Sequence, residues 1–308
     1  MKRLLVTLVV FTFWADPGQF VGAAQKLLTG VPEYPYYYGC APTCGAMVFG
    51  FWDSHGYPNL LPGRPWPINN AIKNLIASSG HIRDYWVGLN STSQDPYVAG
   101  GWTRHADNCI ADFMATSRYP NADGWTNRAL LANGLVSFAK WDNPATPVRE
   151  GYSFSATLVL GLTFDQFVSE IDAGRPVLLF VRLRPPDGPI DHTVVGFGYD
   201  DSAPAAPKFA AMDTYMGNAP GVPDWWSWPS VAGGVTCQPV SPPQHFPIGD
   251  VDQDGQVNIS DLLLVRNCLG LAALRDPIAA SADANNDGIV NIADLLIVRN
   301  HLGAASSP

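Results

Sequence analysis

Val31-Pro32-Glu33-Tyr34-Pro35-Tyr36-Tyr37-Tyr38-Gly39-Cys40-Ala41-Pro42-Thr43-Cys44-Gly45-Ala46-Met47 carries the chain from a tyrosine-rich approach into an apolar segment. From Gly45 to Ser54 the pattern predicts a helix, with Met47, Phe51 and Trp52 on one side and Cys40-Ala41-Pro42-Thr43 leading in. A thiol just ahead of a helix meets the positive end of the dipole and free backbone N–H groups. Both favour a thiolate, and the same N–H groups can hold an oxyanion. Cys40 is therefore placed as a nucleophile would be, although a small buried cysteine is a common inert alternative.

Downstream, Thr163 to Ile171 predicts a second helix, capped by Thr163 and striped by Phe164, Phe167, Val168 and Ile171. Asp172-Ala173-Gly174-Arg175-Pro176 ends it. Val177 to Val181 reads as a buried strand, with Thr193 to Tyr199 and Phe209 to Met212 as two more. Helices first and a sheet later make an α+β domain. His192 opens the second of these strands and Asp213 closes the third. Cysteine, histidine and carboxylate in that chain order, the last two on neighbouring strands, can meet across a cleft.

These residues carry a resemblance. The region from Val31 to Trp228 resembles a C39-like, papain-fold cysteine peptidase, with a Val-Pro lead-in before Cys-x-Pro-Thr and a histidine in His-Thr-Val-Val-Gly-Phe. The resemblance implies Cys40 as nucleophile, His192 as general base and Asp213 as the carboxylate that orients it, acting on a peptide or protein substrate. Papain-fold enzymes place an oxyanion glutamine a few residues before the cysteine. Tyr34 stands there in this chain, which leaves two readings open: a hydroxyl from Tyr34 or a neighbour donates instead, or catalysis is impaired. Tyr34 to Tyr38 and Trp225-Trp226-Ser227-Trp228 are candidates to line the cleft or to pack beneath it.

Near the C-terminus, Asp250, Asp252, Asp254, Asn258 and Asp261 supply oxygens at positions 1, 3, 5, 9 and 12 of a loop, with the carbonyl of Gln256 at position 7. Asp283, Asn285, Asp287, Asn291 and Asp294, with the carbonyl of Ile289, repeat the arrangement. Such hard-oxygen cages suit calcium, and Gly255 and Gly288 allow the tight turn. Each loop enters an apolar helix, at Leu262-Leu263-Leu264-Val265 and Leu295-Leu296-Ile297-Val298. One unit is too small to bury its apolar face, whereas two can bury theirs together. Position 12 is aspartate in both loops where calcium sensors carry glutamate, and a proline-rich stretch replaces a helix ahead of the first. The pair resembles a type I dockerin. That implies two Ca2+ ions, a small all-α paired F-hand module, and a cohesin-like partner on a scaffold or surface protein, with polysaccharide-degrading assemblies as the usual setting. Ile259-Ser260 and Ile292-Ala293 fall where this family reads its partner.

Composition sets the frame. Of 308 residues, 47% are hydrophobic, enough for one sizeable domain and a smaller one. The net charge of −9 opposes a nucleic-acid or anionic membrane surface, which needs the opposite field. Met1-Lys2-Arg3 followed by an apolar run has the order of a secretory signal, with Val21-Gly22-Ala23 as the better cleavage site. No other stretch predicts stable membrane insertion, so export in soluble form is expected. The 5 cysteines are too few for a disulfide scaffold, and an odd number leaves one thiol over. His105, Asp107 and Cys109 hint at zinc, but a structural or substrate-lining role is the expected reading.

The expected organisation is a signal over 1–23, a papain-fold domain over 26–237, a linker over 238–248 and a dockerin over 249–304. The leading functional expectation is a secreted cysteine peptidase held by its dockerin. A catalytically inactive papain-like binding module is the alternative.

Overall fold

The computed structural model describes residues 25–86, 93–118, 123–142, 152–183, 190–215, 223–240, 246–273, 277–285 and 287–305. The expected signal and the middle of the expected linker lie outside the described residues. In chain order the first elements are β1 (Gln25–Leu27), α1 (Cys40–Asp53), α2 (Asn70–Ile76), α3 (Ser79–Tyr85), α4 (Pro96–Gly100), α5 (Ile110–Phe113) and α6 (Arg128–Lys140). Then come β2 (Phe154–Leu160), α7 (Phe164–Asp172), β3 (Val177–Val181), β4 (His192–Asp200), β5 (Lys208–Met212), β6 (Asp224–Ser227) and β7 (Val231–Pro239). Three helices close the chain: α8 (Ile259–Cys268), α9 (Pro277–Ala282) and α10 (Ile292–Asn300).

The sheet runs β2-β7-β3-β4-β5-β6 with every pairing antiparallel, and β1 lies beside the far end of β4. All of β3 is buried, as is β4 up to Tyr199, so the centre of the sheet is covered on both faces. This is the mixed helix and sheet domain that the sequence predicts, and helices alone build the C-terminal region.

The long helix differs from its expectation in two ways. It begins at Cys40 rather than Gly45, because Pro42 falls in the first turn, where its missing N–H has no intrahelical partner to lose. Nor is it one-sided: every residue of α1 except Cys40 is buried. A helix apolar all round belongs inside a domain, between the sheet and the other helices. Its entry is tight. Tyr38 and Gly39 both have positive φ, 54° and 144°, and a Cβ on Gly39 would stand 3.0 Å from Thr116 Cγ2.

On α7 the expected cap is present as a full capping box. Gln166 N donates to Thr163 Oγ1 at 3.2 Å and Thr163 N to Gln166 Oε1 at 3.0 Å. Several elements were not anticipated, among them α6, β2 and β7. The pair of glycines in β7 answers a close approach: Gly234 passes so near β3 that a Cβ would stand 2.6 Å from the Leu178 carbonyl. β7 also runs past the expected end of the domain, since Gln238 and Pro239 pair with Ser155 and Phe154.

The C-terminal helices have their own small core, built from Val251, Val257, Leu264, Val265, Val290 and Val298, separate from the main cluster. In each loop the ninth-position asparagine caps the helix and the twelfth-position aspartate closes a capping box: Asn258 with Asp261, Asn291 with Asp294.

Replacing Gly39 by alanine forces a Cβ into the left-handed region against Thr116. We expect a loss of about 1–3 kcal/mol in a denaturant titration, with slower reaction of Cys40 toward thiol reagents. Thr163→Ala is the contrasting control. It is expected to lose about 1 kcal/mol from the same titration while Cys40 reacts as before.

Candidate active site

Cys40 is the first residue of α1, and its thiol is partly exposed at the helix N-terminus. His192 is the first residue of β4 and Asp213 follows the last residue of β5. Their strands are adjacent, with Val195 opposite Met212, so the imidazole and the carboxylate leave the sheet at the same end. His192 Nε2 lies 2.8 Å from Asp213 Oδ1. That leaves Nδ1 for Cys40, which lines the same cleft and acts electrostatically on His192. The three residues named from sequence are thus brought together, although they span most of the domain.

Charge separation is built into the pair. Burial pushes the Cys40 thiol up, but the hydrogen bond and charge of His192 outweigh it, and Cys40 lies below an ordinary cysteine. Burial pushes His192 down. Its hydrogen bonds to Asp213 and then Cys40, with their charges, outweigh that and raise it to about 9. Both shifts move the pair toward a thiolate facing an imidazolium.

Around them is a cleft of about 540 Å³ whose lining includes Tyr36, Cys40, His192, Tyr215 and the Asp123–Arg128 segment. Tyr215 stacks on His192, with ring centroids 4.7 Å apart and planes 19° apart, and its N–H donates to Asp213 Oδ1 at 3.2 Å. One residue thereby holds both members of the histidine–carboxylate pair. Sequence reasoning missed Tyr215, whose only signal is its place two positions after Asp213. It also missed the Asp123–Arg128 rim, which carries no motif.

Among the tyrosines before Cys40 the structure separates the roles. Tyr34 is fully buried and donates its hydroxyl to the Pro65 carbonyl, so it cannot serve the cleft. Tyr37 and Tyr38 pack on each other, and Tyr38 on Trp86. Tyr36 alone of this run lines the cleft. The tryptophan-rich stretch packs elsewhere: Trp228 stacks on Phe167 and Trp226 lies against Phe209. All 5 cysteines are free thiols, so no disulfide forms among them. Cys44 points into the core, donates to the Thr193 carbonyl at 3.2 Å, and burial raises its thiol well above the ordinary range. It is a packing residue.

At the C-terminal loops, carboxylate oxygens of Asp250, Asp252 and Asp254 all lie within 4.8 Å of one another. Backbone N–H groups shape the loop around them. Asp254 N and Gly255 N donate to Asp250 at 3.1 and 2.9 Å, and Val251 N donates to Asp261 at 2.7 Å. The second loop repeats this: Asp287 N and Gly288 N donate to Asp283 at 3.0 and 2.7 Å, and Asn285 N to Asp294 at 3.2 Å. Gly255 and Gly288 turn at φ 90° and 91°. Crowded hard oxygens around a tight turn are the donor chemistry that a calcium ion needs, so the residues fit the ion.

Two family models match the chain. One, described as the Peptidase_C39 like family, spans residues 21–225 and covers more than half of it. The other, the Dockerin type I domain, spans residues 248–303. No curated protein and no solved structure matches. The chain therefore belongs to the Peptidase_C39 like family and carries a dockerin type I domain behind it.

Proposed function

We propose that this protein is an exported cysteine peptidase that hydrolyses peptide bonds with Cys40, His192 and Asp213, held by its dockerin to a cohesin-like domain on a scaffold or surface protein. The observation that carries the reading is the placement of Cys40, at the N-terminus of α1, in one open cleft with His192, whose Nε2 is held 2.8 Å from Asp213. Export rests on the charged and apolar order of the first residues. Among the described residues no helix is long and apolar enough to cross a membrane.

In the reaction, the Cys40 thiolate attacks the substrate carbonyl carbon. The tetrahedral oxyanion forms beside the N-terminus of α1, where backbone N–H groups lack intrahelical partners. His192, protonated on Nδ1, delivers that proton to the departing amine. Neutral His192 then takes a proton from water as the water attacks the thioester, releasing the acid and restoring the thiolate. Asp213 and the Tyr215 ring hold the imidazole in position throughout.

The side-chain oxyanion donor is assigned to Tyr36. Its hydroxyl packs over Gly124, where a Cβ would meet it at 2.2 Å, and burial followed by the nearby Cys40 charge raises its pKa. It stays protonated, and able to donate, at any working pH. Tyr36→Phe should lower kcat about 100- to 1,000-fold while thiol labelling of Cys40 continues. An unchanged kcat would remove Tyr36 from this role.

The alternative of an inactive binding module draws on the absence of a glutamine at Tyr34. A thiol-directed covalent probe separates the two. Selective labelling of Cys40 that disappears in His192→Ala, together with peptide hydrolysis, supports the enzyme. Absence of both in folded, reduced protein supports the binding module. The pH profile is a further check. The reactive pair forms as pH rises through the lowered Cys40 pKa and is lost as pH rises through about 9, where His192 gives up its proton. Hydrolysis should therefore follow a bell with its alkaline limb near 9. In Asp213→Ala the carboxylate that raises His192 is gone, and that limb should move to lower pH.

Asp250, Asp252, Asp254, Asn258 and Asp261, with the Gln256 carbonyl, would hold one calcium ion. Asp283, Asn285, Asp287, Asn291 and Asp294, with the Ile289 carbonyl, would hold another. Calcium held there would neutralise the crowded carboxylates and stiffen the paired F-hand. Calorimetry should count two calcium equivalents in the full chain and one in Asp250→Ala. Free calcium at 100 times its Kd should stabilise the module by about 2.7 kcal/mol per site. Zero bound calcium with an unaltered helical signal would contradict this part of the proposal.

A further inference from the structure

A second set of histidine, cysteine and aspartate side chains lies outside the cleft, among the short helices α3 and α5. One ring nitrogen of His81, the Cys109 sulfur and a carboxylate oxygen of Asp112 lie within 4.8 Å of one another, and all three residues are buried. His105 joins them. Its Nε2 lies 2.9 Å from Asp112 Oδ2, the oxygen that Cys109 Sγ also approaches at 3.1 Å. His81 Nδ1 lies 2.8 Å from Asp112 Oδ1. The Asp112 carboxylate thus gathers two imidazoles and one thiol from two helices and the segment between them, and it also accepts from the Arg118 guanidinium and the Asn108 N–H, each at 3.1 Å.

We propose that His81, His105, Cys109 and Asp112 form a structural binding site for a zinc-type divalent cation. The donor set of nitrogen, sulfur and oxygen is that of tetrahedral zinc, and four side chains leave no open position for substrate. His81 is completely buried with its Nδ1 toward Asp112, while its Nε2 finds no hydrogen-bond partner among the described residues. His105 has the support on its far side that His81 lacks. Behind His105, Nδ1 lies 2.6 Å from Asp84 Oδ2, and Trp102 Nε1 and the His105 N–H also donate to Asp84, at 2.9 and 2.8 Å. A carboxylate that fixes a histidine from its far side is the support that metal-ligating histidines generally have.

The sequence hint of His105, Asp107 and Cys109 is corrected here. Asp107 turns away to Arg118, at 2.5 Å, while His81 and Asp112, remote in sequence or silent in pattern, take its place. Ion binding would release the Cys109 thiol proton to solvent and put a thiolate on the metal. It would also tie together helices of 7 and 4 residues that are too short to hold themselves. Their stiffness bears on the cleft, because Tyr37 and Tyr38 pack against the Cys109 cluster immediately before Gly39 and Cys40.

The test uses the full chain with Cys40→Ser, saturated with calcium so that the C-terminal loops are filled, and stripped of transition metals. Zinc alone should bind at one equivalent and raise the unfolding temperature. Cobalt(II) in its place should give the intense visible bands of tetrahedral coordination and a thiolate-to-metal charge-transfer band. That band should vanish in Cys109→Ser. Asp84→Asn leaves all four ligands in place and should weaken zinc binding about 10- to 100-fold. It serves as the deciding variant if Cys109→Ser fails to fold. Absence of the charge-transfer band in natively folded protein, its persistence in folded Cys109→Ser, or zinc affinity unchanged in Asp84→Asn would each overturn the site.

Discussion

Burying a helix on every side removes its freedom to rotate or slide, and this constraint governs the large domain. Of the residues in α1, only Cys40 escapes burial, at the end where the backbone N–H groups are unpaired. Packing of Met47, Phe49 and Phe51 in the core fixes the axis, and the left-handed Tyr38 and Gly39 fix the entry. The sulfur is therefore placed by the whole core. Because β4 lies against α1, with Cys44 donating to the Thr193 carbonyl, the same packing sets the distance from Cys40 to His192.

Electrostatics then decides which form of the pair exists. Desolvation alone favours the neutral thiol and neutral imidazole. Against it stand the hydrogen bond and charge that each group gains from the other, and the Asp213 carboxylate beyond. Asp213 in turn is held by its own chain, through the Tyr215 N–H. A sheet whose neighbouring strands end together makes this possible, since it brings residues far apart in sequence to one rim.

Most of the site was legible because its residues sit at element boundaries that leave marks in sequence. A cysteine opening a helix, a histidine opening an apolar strand and an aspartate closing the next can be read without coordinates. The two aspartate-rich loops were legible for a different reason: the spacing of their oxygen side chains, tight-turn glycines and helix caps are all local. What was not legible depends on distant partners. β7 is flanked by β2 and β3, and its glycines answer a close backbone approach that no local pattern encodes. The one-sided helix expected from Met47, Phe51 and Trp52 is in fact covered all round, since the helices that cover it lie elsewhere in sequence. Tyr34 held the glutamine's sequence position but not its spatial one, and Tyr36, two residues on, reaches the cleft.

The central claim is that Cys40 and His192 rest as a charged pair. An ultraviolet titration of thiolate absorbance tests this most directly, taken as the difference between the wild-type chain and Cys40→Ser. The account predicts that Cys40 is already a thiolate below the pH at which an ordinary cysteine ionises, and that this early ionisation disappears in His192→Ala. A Cys40 that ionises like a free thiol, with His192→Ala giving the same curve, would contradict it.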